Sequence, residues 1–125
     1  METIPLSAPA AVSARGDVAL LARVFAGMSE PARLHILLLL LNSEYNVSDL
    51  VSRTGISQGR VSIHLQCLRH CGFVASERRG KFVYYRVRDE RVRELIQRAQ
   101  ELAADYTAEL ASCGVLNDET KYRED

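Results

Sequence analysis

The residues of this chain best suited to metal or redox chemistry are Cys67 and Cys71, four apart in "SIHLQCLRHCGFV" (residues 62–74). Positions four apart on a helix lie one above the other, so the two sulfurs can share one ion. Val61, Leu65 and Leu68 form the natural apolar stripe of such a helix, and both cysteines fall roughly 80–120° from its centre at 3.6 residues per turn. That margin leaves two readings open. A cysteine there can be a small inert hydrophobe. Two in register, with Cys113 as the third in the chain, form instead a thiolate set suited to Hg(II), Cd(II) or Pb(II). Basic neighbours such as Arg60 and Arg69, where close in space, favour thiolate formation. His64 lies on the cysteine side of the helix, where a structural or DNA-facing role is the simpler reading. His70 points about 100° away from Cys71, which disfavours joint ligation. His35 reads as a surface or boundary residue.

The same helix carries a second chemistry. Ser57 is placed as its N-cap. Gln58, Arg60, Ser62, Ile63 and Gln66 then form the face opposite the stripe. Gln pairs bidentately with adenine, Arg with guanine, and Ile63 can meet a thymine methyl. Before it, "YNVSDLVSRTG" reads as a short helix started at Asn46 or Ser48 and stopped by Gly55. Two short helices around a tight glycine turn make a helix-turn-helix.

Past Gly72 the period changes from helix to strand. "FVASERR" and "FVYYRVRD" form two strands joined around Gly80, with Val83, Tyr85 and Val87 on one face and Phe82, Tyr84 and Arg86 on the other. Arg78, Arg79 and Lys81 at the hairpin tip read as a wing that touches phosphates or the minor groove.

The remaining elements must position these groups. Asp17 caps a first helix through "VALLARVFAGM". "SEPARLHILLLLLN" follows, with Ser29 as N-cap, Pro31 in the first turn, and Leu34, Leu37, Leu38 and Leu41 as its buried stripe. Asp89 caps one long last helix, "ERVRELIQRAQELAADYTAELA", striped by Val92, Leu95, Ile96, Ala99, Leu102, Ala103, Tyr106 and Leu110. The architecture is mainly α with a β-hairpin wing, a winged helix-turn-helix. The stripes of the first and last helices exceed what a core this small can cover, so they are assigned to a homodimer interface. A two-fold dimer presents two reading helices to half-sites about one DNA turn apart. Residues 1–16 are a flexible N-terminal arm, 17–112 the DNA-binding and dimerisation domain, and 113–125 a tail with Cys113 as a candidate ligand.

The chain of 125 residues has zero formal net charge, which hides an asymmetry. Arg53 to Arg93 holds ten Arg and Lys against three acidic residues, a surplus of seven, while both flanks are acidic. A basic middle is the footprint of a polyanion partner, although a solvated charged face is the plainer alternative. "METIPLSAPAAVSA" lacks a basic n-region and the run Leu34–Leu41 is too short for a bilayer, so the cytoplasm is the expected address. Three cysteines there are expected to be reduced. The sequence has no Gly-rich phosphate loop, no nucleophile elbow and no Cys-x-x-Cys at a helix start, so the enzyme classes those mark are set aside.

The stretches "LARVFAGMSEPARLHILLLL", "NVSDLVSRTGISQGRVSIHLQCLRHCGFV" and "RRGKFVYYRV" resemble the ArsR/SmtB family of metalloregulatory repressors. The resemblance implies a cytoplasmic homodimer that binds operator DNA when metal-free and leaves it on binding metal. The family's "CVCDL" thiol site has "NVSDL" here, and no histidine follows His70, so neither that site nor a zinc site on the last helix is present. Cys67, Cys71 and Cys113 remain. Their arrangement is similar to that of the family's mercury repressors and cadmium/lead sensors. It implies Hg(II) as effector, with Cd(II) or Pb(II) as the alternative, at a resistance operon. A repressor whose thiols oxidise rather than bind metal is the nearest rival.

Overall fold

Capping side chains set where each helix begins. In the computed structural model, which describes residues 16–114, the Asp17 carboxylate accepts from the N–H groups of Ala19 (2.8 Å) and Leu20 (3.3 Å) and opens α1 (Val18–Met28). The expected arm falls, but for Gly16, on residues 1–15, outside the described residues, as does the tail beyond Gly114. Helix α2 (Pro31–Leu40) is capped by Glu30 and not by Ser29; the Glu30 carboxylate accepts from Ala32 (2.8 Å) and Arg33 (3.2 Å). The reason is the closeness of the two helices. Ser29 is already the C-cap of α1, its hydroxyl donating to the Ala26 carbonyl, which leaves Glu30 to open the next helix.

The buried stripe of α2 also differs from expectation. Ile36, Leu37, Leu40 and Leu41 are the buried set, while Leu34 and Leu38 are half-buried and line an apolar groove with Phe25, Met28, Leu95 and Ala99. Five consecutive leucines offer every face of the helix the same side chain, so periodicity carries no register there.

Helix α3 (Val47–Thr54) begins in a capping box, in which Asn46 and Asp49 each accept the other's backbone N–H. It ends at Gly55, whose φ of 76° needs a residue without a Cβ. Helix α4 (Gln58–His70) is capped by Ser57, as expected, and completes the helix-turn-helix. Strands β1 (Val74–Arg79) and β2 (Phe82–Val87) pair antiparallel, Val74 with Val87 through Arg79 with Phe82, around Gly80 (φ 64°). Tyr45 adds a bridge to β2 through Tyr85, so the α2–α3 loop acts as a third edge of the wing sheet.

The expected single last helix is two. Helix α5 (Glu90–Asp105) and α6 (Thr107–Ser112) meet at Tyr106, which leaves helical geometry (φ −118°, ψ 34°). The core gathers Ile36, Leu37, Leu40, Leu50, Val61, Leu65, Leu68, Val74, Val92 and Ile96. The Arg93 guanidinium donates to the Leu41 carbonyl and ties α5 to the end of α2. Among the described residues, no helix is long and apolar enough to cross a membrane.

One crossing is unusually close. A Cβ placed on Gly27 would stand 2.6 Å from Cε2 of Phe73 and 3.5 Å from Sγ of Cys71. Gly27→Ala should therefore lower stability by about 1–3 kcal/mol despite its better helix propensity, as overpacking does. Urea unfolding measures this; an alanine variant as stable as the parent overturns the close-packing argument.

Candidate nucleic-acid interface and thiol site

Helix α4 divides cleanly between two environments. Val61, Leu65 and Leu68 are at most 1% exposed, which turns Gln58, Arg60, Ser62, Ile63 and Gln66 outward. Ile63 is 65% exposed, a large apolar side chain placed on a polar face. Ser57 caps the same helix end, where free N–H groups and the helix dipole favour an anion such as a phosphate.

The wing stands beside that end. Lys81 and Phe82 share a groove of about 420 Å³ with Gln58 and with Asn46, Val47 and Ser48 at the start of α3. Arg78 is exposed, one guanidinium N–H reaching the Gly80 carbonyl at 3.3 Å. Arg79 is differently placed. Its guanidinium pairs with Glu44 and with Glu77 (3.1 Å) and lies over the Tyr84 ring, 4.9 Å from its centroid. Ser48, Asn46 and Phe82 were not among the sequence-derived candidates, because only the folded hairpin brings them to the reading helix.

The thiols sit at the opposite end of α4. Cys67 is half-buried, and Cys71, at the C-cap, is more exposed. Partial burial pushes the Cys71 thiol above the usual cysteine range and Cys67 pushes it further, while Arg33 opposes them. Neither Arg60 nor Arg69 is among the groups that shift the Cys71 thiol. Arg69 instead donates to the Ser76 hydroxyl at 3.3 Å, and the effect of Arg60 falls on His64. Arg33, which sequence reasoning passed over, closes the end of α1 by donating to the carbonyls of Gly27 (2.9 Å) and Ala26 (3.2 Å).

His64 lies between helices. Its Nε2 is 3.8 Å from the Glu30 carboxylate, and its Nδ1 is buried without a protein partner. Burial lowers its pKa, against the pull of Glu30, so the ring is neutral at pH 7 and packs α4 against the start of α2. His35 is exposed, as expected. Cys113 is half-buried at the end of α6. Among the described residues of one chain, no three of the His, Cys, Asp and Glu side chains are close enough to hold a metal, so Cys113 does not join the other two within a protomer. Among the described residues, Cys67 and Cys71 are two thiols one helical turn apart.

Known proteins match this architecture. The family model described as "Bacterial regulatory protein, arsR family" matches residues 30–76. The probable mercury resistance operon repressor of Streptomyces lividans is 45% identical over 92 residues, 74% of this chain and 74% of that protein. The crystal structure of Rv0081 from M. tuberculosis superposes with a TM-score of 0.69 at 29% identity, covering 75% of this chain and 95% of that one. The solution structure of the homodimeric winged helix-turn-helix DNA-binding domain of Mb0332 from Mycobacterium bovis gives 0.63 at 35% identity, covering 69% and 79%. With the reading helix, wing and overall likeness in agreement, the chain belongs to the arsR family of bacterial regulatory proteins.

Proposed function

We propose that this protein is a cytoplasmic, metal-responsive transcriptional repressor. It acts as a homodimer that holds operator DNA when metal-free and releases it on binding a soft thiophilic metal, Hg(II) foremost, with Cd(II) or Pb(II) as alternatives. The observation that carries the reading is the pair Cys67 and Cys71 on the same helix as Gln58 and Arg60, with a mercury resistance repressor among the relatives.

Ser57, Gln58, Arg60, Ser62, Ile63 and Gln66 meet the major groove, and Arg78 and Lys81 meet the flanking backbone. Residues 17–112 serve both DNA binding and dimerisation. Val18, Leu20, Leu21 and Phe25 on α1, with Leu102, Tyr106 and Leu110 toward the C-terminus, are each at least 43% exposed in the single chain. Such a surface fits a second copy of the chain, and the similar Mb0332 domain is homodimeric. Cys67 and Cys71 supply two thiolates to one ion, and Cys113, reached across the dimer, supplies a third. The bound metal contributes strong, directional metal–sulfur bonds. The chain's part is to convert sulfur movement at one end of α4 into tilt of its reading end. Cys71 abuts Gly27 of α1, so the same movement also presses on the dimer face. About 3 kcal/mol of coupling suffices for a hundredfold loss of affinity.

Operator binding by the metal-free protein should be strongly salt-dependent. Lys81→Ala should weaken it evenly across sequences, whereas Gln58→Ala should lower discrimination between operators by about 1–3 kcal/mol. Gel-shift titrations at several salt concentrations check both. No preference over random duplex overturns the DNA reading.

Under anaerobic, reducing conditions, which exclude thiol oxidation, Hg(II) should release DNA at the lowest free concentration, then Cd(II) and Pb(II). Cys67→Ser and Cys71→Ser should bind operator and ignore the metal. Release by Zn(II) alone, or normal release in both variants, sinks the soft-metal reading.

Because Cys71 holds its proton above the usual cysteine range, metal uptake at pH 7 must expel thiol protons, and affinity should fall as pH falls. Calorimetry in buffers of differing ionisation enthalpy should show more protons released per ion by the parent than by Cys113→Ser if Cys113 takes part. Cys113→Ser that leaves the count unchanged removes Cys113 from the site.

A further inference from the structure

The hairpin tip carries Arg78, Arg79 and Lys81 in near succession, yet the fold treats Arg79 differently from its neighbours. The β1–β2 register places Glu77 opposite Tyr84 and Arg79 opposite Phe82, so these four side chains share the outer face of the wing. Arg86, on that face too, approaches Glu77 at 3.7 Å. Phe82 and Tyr84 meet edge to face, 6.5 Å between ring centroids. Across β2 lies the Tyr45 bridge, and from the residue before it the Glu44 carboxylate meets the Arg79 guanidinium. Arg79 thus reaches over the Tyr84 ring, from the far strand of the wing to the α2–α3 loop. The contact spans 35 positions of sequence.

We propose that Arg79 is a positioning residue of the DNA interface. It clamps the wing to the Glu44–Tyr45 loop through Glu44, Glu77 and the face of Tyr84, and leaves phosphate contact to Arg78 and Lys81.

Two carboxylates on one guanidinium leave no surplus positive charge at that point for a polyanion to recruit. An isolated surface ion pair is weak, but a network with an aromatic stack is the arrangement in which such pairs count. Both carboxylates meet the same Nη2 while the rest of the planar guanidinium extends over Tyr84, a spread that the compact, strongly hydrated ammonium of a lysine does not match. The clamp matters for DNA because a two-stranded hairpin alone is barely stable in water. Without a fixed wing angle, Lys81 would not be held beside Gln58 in the groove they share. This inference rests on the DNA-binding reading above for its consequence, and on the wing geometry alone for the clamp.

The test keeps those two apart. Hydrogen exchange of the metal-free full-length protein should show the amides of Tyr45 and Phe82–Val87 exchanging about three- to tenfold faster in Arg79→Ala and in Glu44→Gln. Arg79→Lys, which keeps the charge, should resemble the alanine variant. Unchanged exchange in Arg79→Ala or Glu44→Gln, or parent-like exchange in Arg79→Lys, overturns the clamp whatever the DNA result. In operator titrations, Lys81→Ala should flatten the slope of log affinity against log salt by about one, and Arg79→Ala should weaken binding with its slope unchanged. A slope flattened by about one in Arg79→Ala makes it a phosphate contact and overturns the proposal. If the parent protein binds no duplex, the repressor reading fails, and the exchange measurements still decide the clamp.

Discussion

The burial of Val61, Leu65 and Leu68 against Ile36, Leu37 and Leu50 is the contact on which the interface depends. A helix of 13 residues has only a few turns, and three fully buried side chains leave it no rotational freedom. Fixing that rotation turns Gln58, Arg60 and Ser62 outward at one end and leaves Cys67 and Cys71 at the margin of the core at the other. Each such side chain contributes about 1.5–3 kcal/mol on burial. A rotation that exposed even one of them would cost more than any single hydrogen bond gained on the polar face. Reading groups and thiols are therefore parts of one rigid body, and neither can turn about the helix axis without the other.

The second feature is the closeness of α1 to the end of α4. Gly27 permits α1 to pass over Phe73 and Cys71 at a distance no side chain would allow, and Arg33 closes α1 from the neighbouring helix. Cys71 lines a pocket together with Val24 and Met28 of α1 and Val92 and Leu95 of α5. Those two helices also carry much of the exposed apolar surface of the single chain. A change at the sulfurs meets two packed helices as well as its own, and packed interiors pass on displacement because they have little free volume.

Electrostatics divides the molecule in the same way. The basic surplus between Arg53 and Arg93 is not spread evenly, because several of its charges are already engaged. Arg79 and Arg86 face carboxylates on the wing, Arg91 pairs with Asp89, Arg93 with Glu90 and the Leu41 carbonyl, and Arg53 lies over Tyr45. Counting basic residues overstates the charge offered to a polyanion. Lys81 shares a groove with Gln58 at the head of α4, and Arg60 stands two residues further along the same helix.

By itself the sequence determined what local chemistry can specify. Asp17, Ser57 and Gly55 mark helix ends because a short acceptor or a missing Cβ acts within three residues of itself. The α4 stripe and the alternation in β2 were legible because apolar and polar positions differ there. Where that contrast is missing, only the tertiary structure decided. The leucine run hid its inward face. Ser29 was consumed by the helix before it, leaving the cap to Glu30. The last helix breaks at Tyr106 although its stripe runs through without interruption. The candidate site divides along the same line. Cys67 and Cys71 share a helix, so their spacing announces them as a pair. Arg33 beside Cys71, the Glu44–Arg79 contact and the Gly27 crossing join residues far apart in the chain. No local pattern records such pairs, because their distance is set by how whole elements pack and not by the residues between them.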